Sequence, residues 1–227
     1  HAGNAIPAEW RHHFSGMRRL LAGHNGYDIG ALALARFFAR RFNCDLYFTE
    51  YSRLLVDCNR SAHNPAIFSR ATGALPPGKK EELLERYYLP YRAGVEREVE
   101  RLVSQRGSAL HVSIHSFTPE LGGKTRNADA AFLYDPSREG EKRLCVLWRD
   151  ALRERASGLK VRFNYPYRGT SDGFTTHLRR SYGQREYLGI ELEVNQRHLA
   201  GKGSSRKRMA DAVADSLAAA MEKYYTA

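Results

Sequence analysis

The chain has 227 residues, 42% of them hydrophobic, which is enough to bury one large core, and no shift in composition divides it, so residues 1–227 are expected to form a single domain. Its 36 Lys+Arg against 25 Asp+Glu give a net charge of +11, but most of the basic residues are scattered and only Lys202, Arg206, Lys207 and Arg208 form a compact cluster; with no recognition motif beside them, they read as a solvated surface that steers small acidic molecules rather than as a specific nucleic-acid interface. No run of about 18 apolar residues is present, the opening HAGNAIPAEW lacks the regions of a signal peptide, and Cys44, Cys58 and Cys145 form no CxxC pair; a membrane span, a disulfide framework and a cysteine zinc ribbon are excluded, and a cytoplasmic protein with reduced thiols is expected.

Along the chain, residues 28–43 place Ile29, Ala33 and Phe37 on one helical stripe, with Asp28 at its start as an N-cap or first-turn acid. Strand-like runs follow at Leu46–Thr49 and Arg53–Asp57, then a Pro- and Gly-rich loop over 64–79. A long polar helix is expected over 80–105, bent near Pro90. Leu110–Ile114 reads as a buried strand that ends at His115. The alternation then repeats, with a strand at 130–134, a helix at 139–155, a strand at 159–163, a turn-rich loop over 164–176, a strand at 187–194 and a closing helix at 205–225. Strands alternating with helices predict a three-layer αβα fold with a largely parallel sheet, whose ligands lie beyond the carboxyl ends of the strands.

Four residues at the ends of separate elements carry the candidate chemistry. His115 follows an apolar strand ahead of Ser, Thr and Pro, a position that packing explains poorly and that suits a metal ligand or catalytic group. Glu191 and Glu193 lie two apart in GIELEV, so a regular strand points both to one face; buried there, at least one should meet a metal, an arginine or a nucleophilic water. Asp28 is either a helix cap or a ligand, and His24 nearby competes with it. His1 sits in HAGN, small residues that allow close backbone approach to a metal or an oxyanion, although read alone it is only a terminus. Three possible ligands and a spare carboxylate, if they converge, make a metal-dependent hydrolase. His111, inside the apolar run, reads as a hydrogen-bonded core histidine. Arg60, with Arg53 and Asn59 in RLLVDCNR, suits bidentate binding of a carboxylate, or else braces its own loop through Asp57. His177 closes a loop of lid-like composition, as a site residue or a surface one.

Taken together and in order, HAGNAIP, YDIGALALA, YSRLLVDCNR, IHSFTP, NYPYRGTSDGFTTH and IELEVNQ resemble the N-formylglutamate amidohydrolase family over nearly the whole chain. The resemblance implies a zinc carboxypeptidase-like fold with a mixed, mostly parallel sheet, and cleavage of an N-acyl amino acid such as N-formyl-L-glutamate, a step of histidine breakdown. It further implies that His1, Asp28 and His115 hold Zn2+, that Glu193 is the base, and that Arg60 with Arg53 and Asn59 holds a substrate carboxylate. Zinc and either Arg53 or His177 would then stabilise the oxyanion. Family members carry a strand ahead of the first histidine, so the domain is expected to lack its first strand in this sequence. Two other readings compete: a zinc amidase acting on a peptide or cell-wall amide, and a basic binding module without activity. An N-terminal His1 would also suit a copper brace, but those enzymes are secreted β-sandwiches and the helix-rich alternation argues against them.

Overall fold

Nine consecutive residues, Tyr187–Asn195, form a strand that is buried along its whole length, as expected of a strand covered on both faces. In the computed structural model, which describes residues 2–201 and 203–226, this strand (β6) lies inside a sheet ordered β1 (Ala109–Phe117), β6, β4 (Ala130–Leu133) and β5 (Val161–Phe163). His1, Lys202 and Ala227 lie outside the described residues. β1 and β6 are parallel, as are β4 and β5, while β4 runs antiparallel to β6, so the sheet is mixed and mostly parallel as predicted. A two-stranded hairpin, β2 (Glu120–Leu121) and β3 (Lys124–Thr125), stands apart from it.

The period-2 alternation of β6 sorts the two faces. Leu188, Ile190, Leu192 and Val194 enter the main core with Leu34 and Phe38 of α2 (Ala31–Phe42), Trp148 of α5 (Glu139–Arg155) and Val213 of α8 (Ser204–Thr226). Trp148 is fully buried, stacked on Phe132 with ring centroids 4.3 Å apart, and its indole N–H donates to the Val213 carbonyl and Ser216 Oγ, both at 3.0 Å. The opposite face packs Tyr187 and Ala109 against Val95 and Val99 of α4 (Leu89–Arg106) and Phe174 and Leu178 of α6 (Phe174–Ser181). Helices on both faces make the three layers. Among the described residues no helix is long and apolar enough to cross a membrane.

Several local expectations fail for identifiable reasons. The strands expected at 46–49 and 53–57 do not form; an isolated bridge joins Ala5 to Tyr51, and the chain then turns. The Ser52 hydroxyl donates to the Gly26 carbonyl at 2.8 Å and accepts from the Leu54 amide at 3.2 Å, a side-chain turn that diverts the backbone from pairing. Leu55 and Val56 are still buried, in a separate cluster with Trp10, Phe14, Tyr87 and Tyr88. The long helix over 80–105 is in fact α3 (Pro77–Leu83), a π-helical turn (Leu84–Tyr88) and α4. Pro90 cannot donate to the carbonyl one turn back, and the wider π turn accommodates that gap. Three short helices had no strong periodic signal: a 3-10 helix at Ala8–Phe14, α1 at Arg18–Ala22 and α7 at Gln196–Leu199.

Candidate active site

In the β1–β6 pairing His115 lies directly beside Glu193, and Ser113 beside Glu191. Their side chains share the face opposite the main core, towards the carboxyl ends of both strands. His115 is two residues inside the strand rather than after it, because β1 runs on to Phe117. Its ring is fixed at both nitrogens: Nδ1 is 2.8 Å from Asp28 Oδ2, and Nε2 is 2.9 Å from Ser113 Oγ. A carboxylate only accepts, so Nδ1 carries the proton given to Asp28, and in the neutral ring Nε2 accepts from Ser113.

Asp28 reaches this position through the turn that precedes α2. Gly30, at φ 82°, caps that helix, and no side-chain cap bond is made, so Asp28 is not its N-cap. A Cβ at Gly30 would lie 2.5 Å from the Leu199 side chain, so only glycine permits both this turn and its close packing on α7. Ser116 Oγ, 2.9 Å from the Ile29 carbonyl, ties the turn to β1. With the backbone held this way the Asp28 carboxylate points at His115 and at the Arg53 guanidinium, which contacts Asp28 Oδ1. Arg53 is presented by the loop after the Ala5–Tyr51 bridge, and its amide donates to the Gly26 carbonyl at 3.1 Å. His24, in the neighbouring turn, makes none of these contacts among the described residues.

The two glutamates differ. Glu191 Oε1 accepts from Thr175 Oγ1 at 2.6 Å and is committed to α6. Glu193 is 5% exposed, and its Oε2 is buried without a hydrogen-bond partner among the described residues. Burial, and then the charge of Glu191, push its pKa up to about 8, against the opposing pull of Arg53 and Arg126. Beside them His111 hydrogen-bonds the Tyr187 hydroxyl at 2.7 Å, the partner a core histidine needs, and burial draws its pKa down to about 4.

The other residues singled out in the sequence have partners elsewhere. Asn59 Oδ1 accepts from the Phe174 amide at 2.9 Å and so caps α6 from a distant loop. Arg60 is 41% exposed at its side chain and pairs with Asp57 at 3.3 Å, the loop-bracing arrangement. His177 lies within α6, not at the end of a loop, and pairs with Glu96 at 3.1 Å rather than with Asp28, His115 or Glu193. His1 lies outside the described residues, and among those described no group of three His, Cys, Asp or Glu side chains is placed to hold a metal ion.

Two arginines that sequence reasoning passed over also border this face. Arg92 is buried beneath the 58–60 loop, donates to the carbonyls of Cys58 and Arg60 at 3.4 and 3.3 Å, and lies 3.9 Å from the Phe174 ring centroid. Arg126 donates to the Tyr167 hydroxyl at 3.2 Å. Neither position carries a local signal, since both look like scattered surface charge.

An acid–histidine cluster beneath the carboxyl ends of two adjacent strands, in a three-layer α/β protein with a mixed sheet, is a hydrolase-like architecture. The chain belongs to the N-formylglutamate amidohydrolase family, whose model matches residues 1–200. It is 29% identical over 102 residues to an N-formylglutamate deformylase of Pseudomonas putida, a stretch covering 37% of this chain and 38% of that protein. In structure it is similar to a gene product of Agrobacterium tumefaciens, with a TM-score of 0.76 and 25% identity over 98% of this chain and 88% of the other. It also shares its fold with the N-formylglutamate amidohydrolase of Ralstonia eutropha, with a TM-score of 0.61 and 19% identity over 100% and 90% of the two chains.

Proposed function

We propose that this protein is a zinc-dependent amidohydrolase that cleaves the amide bond of an N-acyl amino acid such as N-formyl-L-glutamate. The observation that carries the reading is the meeting on one face of the sheet of Asp28, His115 and Glu193, whose Oε2 is buried without a hydrogen-bond partner among the described residues. The donor chemistry fits zinc. Aspartate and histidine are both ligand types that zinc takes, and zinc would replace the proton now shared between the Asp28 carboxylate and the His115 imidazole, 2.8 Å apart. His1 is the third ligand in this reading. When bound, zinc lowers the pKa of water from about 15.7 towards about 7 and polarises a carbonyl.

The remaining work falls to the chain's own side chains. Glu193, whose ionised form a zinc ion close by would favour, takes the proton of the attacking water as the new C–O bond forms at the formyl carbon. It then gives that proton to the amide nitrogen as the C–N bond breaks, so formate and a free amino acid leave. Arg53 holds Asp28, and Ser113 holds the His115 ring. The depth of Glu193 keeps bulk water from competing for its proton. Elemental analysis of the wild type and His115→Ala, side by side after zinc loading and dialysis, is expected to find about one zinc per chain in the first and little in the second. Zinc-loaded wild type that releases no formate from N-formyl-L-glutamate or other N-formyl amino acids would overturn the reading.

A further inference from the structure

The hairpin β2–β3 and the 164–173 loop meet over the carboxyl ends of β1 and β6. After the hairpin, the Arg126 amide donates to the Pro119 carbonyl at 2.8 Å, and the Arg126 carbonyl accepts from Asn195 Nδ2 at 3.5 Å. Asn195 is the last residue of β6, two beyond Glu193, and it also holds the Ala128 carbonyl at 2.9 Å. From the other side, Tyr165 packs edge-on against Phe117 at 6.2 Å, two residues beyond His115. Gly169 lies so close to the Tyr134 backbone that no Cβ would fit, and Arg179 donates to its carbonyl at 2.5 Å, which pins the loop. Tyr167, 49% exposed, is held between these anchors, with the Arg126 guanidinium 5.3 Å from its ring centroid and bonded to its hydroxyl.

The floor of this site is acidic, with Asp28, Glu191 and Glu193 buried in it. Asp28 is already paired with Arg53, and zinc would engage the amide carbonyl, so a substrate carboxylate lying away from the metal needs a cation of its own. Arg53 and Arg60 contact Asp28 and Asp57, whereas among the described residues no carboxylate pairs with Arg126. Its charge nonetheless reaches the floor, where it favours the ionised form of Glu193. The guanidinium is planar, and with one edge steadied by a phenol it keeps further N–H donors for a carboxylate.

We propose that Arg126, steadied by Tyr167, binds a carboxylate of the substrate and makes the site selective for acidic N-acyl amino acids. This rests on the amidohydrolase reading above, with Arg126 in the role that the sequence suggested for Arg60.

Binding is measured first, by calorimetry with glutarate and with neutral glutaramide, on wild type, Arg126→Ala, Tyr167→Phe and the hairpin control Lys124→Ala. Wild type is expected to bind glutarate and not glutaramide. Arg126→Ala should weaken glutarate at least tenfold, Tyr167→Phe by less, and Lys124→Ala hardly at all. No glutarate binding by wild type, or equal binding by Arg126→Ala, would overturn the proposal whether or not the protein hydrolyses anything. Glutarate binding that needs Arg126, in a protein that releases no formate, would instead sink the hydrolytic reading alone. Where formate is released, Arg126→Ala should raise KM for N-formyl-L-glutamate at least tenfold with kcat within about threefold. The KM effect should vanish for one of the two mono-amides, the side-chain amide or the α-amide. An equal loss on the parent and both amides, or a loss in kcat alone, contradicts carboxylate binding.

Discussion

Glu193→Gln is expected to lower turnover by about 100-fold or more while zinc content stays at the wild-type level. The amide has nearly the shape of the carboxyl but cannot take the proton of water, and Glu193 is not among the proposed ligands. Near-normal turnover in the variant would remove Glu193 from the mechanism. A second readout needs no substrate. In the metal-free protein the folded Glu193 holds its proton up to about 8, while the unfolded carboxyl ionises near its ordinary value of 4.5. Between those two values the folded state binds more protons than the unfolded one, so stability falls as pH rises through the window, in total by on the order of 4 kcal/mol. Glutamine does not titrate, so metal-free Glu193→Gln should gain stability relative to wild type between pH 4.5 and 8. Urea unfolding across that range measures it; parallel curves would mean that the wild-type carboxyl is ionised throughout and lacks the tuning a base requires.

The parts of this site that repeat within one element could be read from the chain. The two-residue period of GIELEV put Glu191 and Glu193 on one face, where they are, and the apolar runs around them located β4, β6, α5 and α8. What could not be read is what depends on contacts between distant segments. Asp28 looked equally like a cap and a ligand, because the choice turns on Gly30 packing against Leu199, and Leu199 is far along the chain. Leu55 and Val56 have strand-like composition but are buried by Trp10 and Tyr87 without pairing. That Glu191 rather than Glu193 is tied to α6 is decided by Thr175, sixteen residues from Glu191. Arg60, the arginine best suited by its neighbours, turned to its own loop, whereas Arg126 is brought to the site by a hairpin too short to show in any pattern.

Glu141→Gln is expected to cost about 3–5 kcal/mol, more than a typical substitution, because it would leave two arginines without their counter-charge. Glu141 is fully buried at the start of α5. Both of its oxygens accept from Arg179 Nε, at 3.0 and 3.1 Å; Oε1 also accepts from the Gly189 amide at 3.1 Å, and Oε2 from the Asp135 amide at 3.0 Å. Arg138 Nε lies 3.2 Å from Oε1. Arg179 extends this network to the carbonyls of Gly189, in β6, and Gly169, in the loop that presents Tyr167. One carboxylate therefore joins the central strand, α5, α6 and the rim of the site. At roughly 2–4 °C per kcal/mol for a chain of this size, the melting temperature should fall by about 10 °C. A fall of less than about 2 °C would show that the network is dispensable. Glu141→Leu combined with Arg179→Met removes the stranded charge together with its partner, and should recover part of the loss relative to Glu141→Leu alone. Because Arg179 also holds the Gly169 carbonyl, the double variant should remain impaired in glutarate binding even where its stability returns, which separates the role of this network in folding from its role in placing the loop.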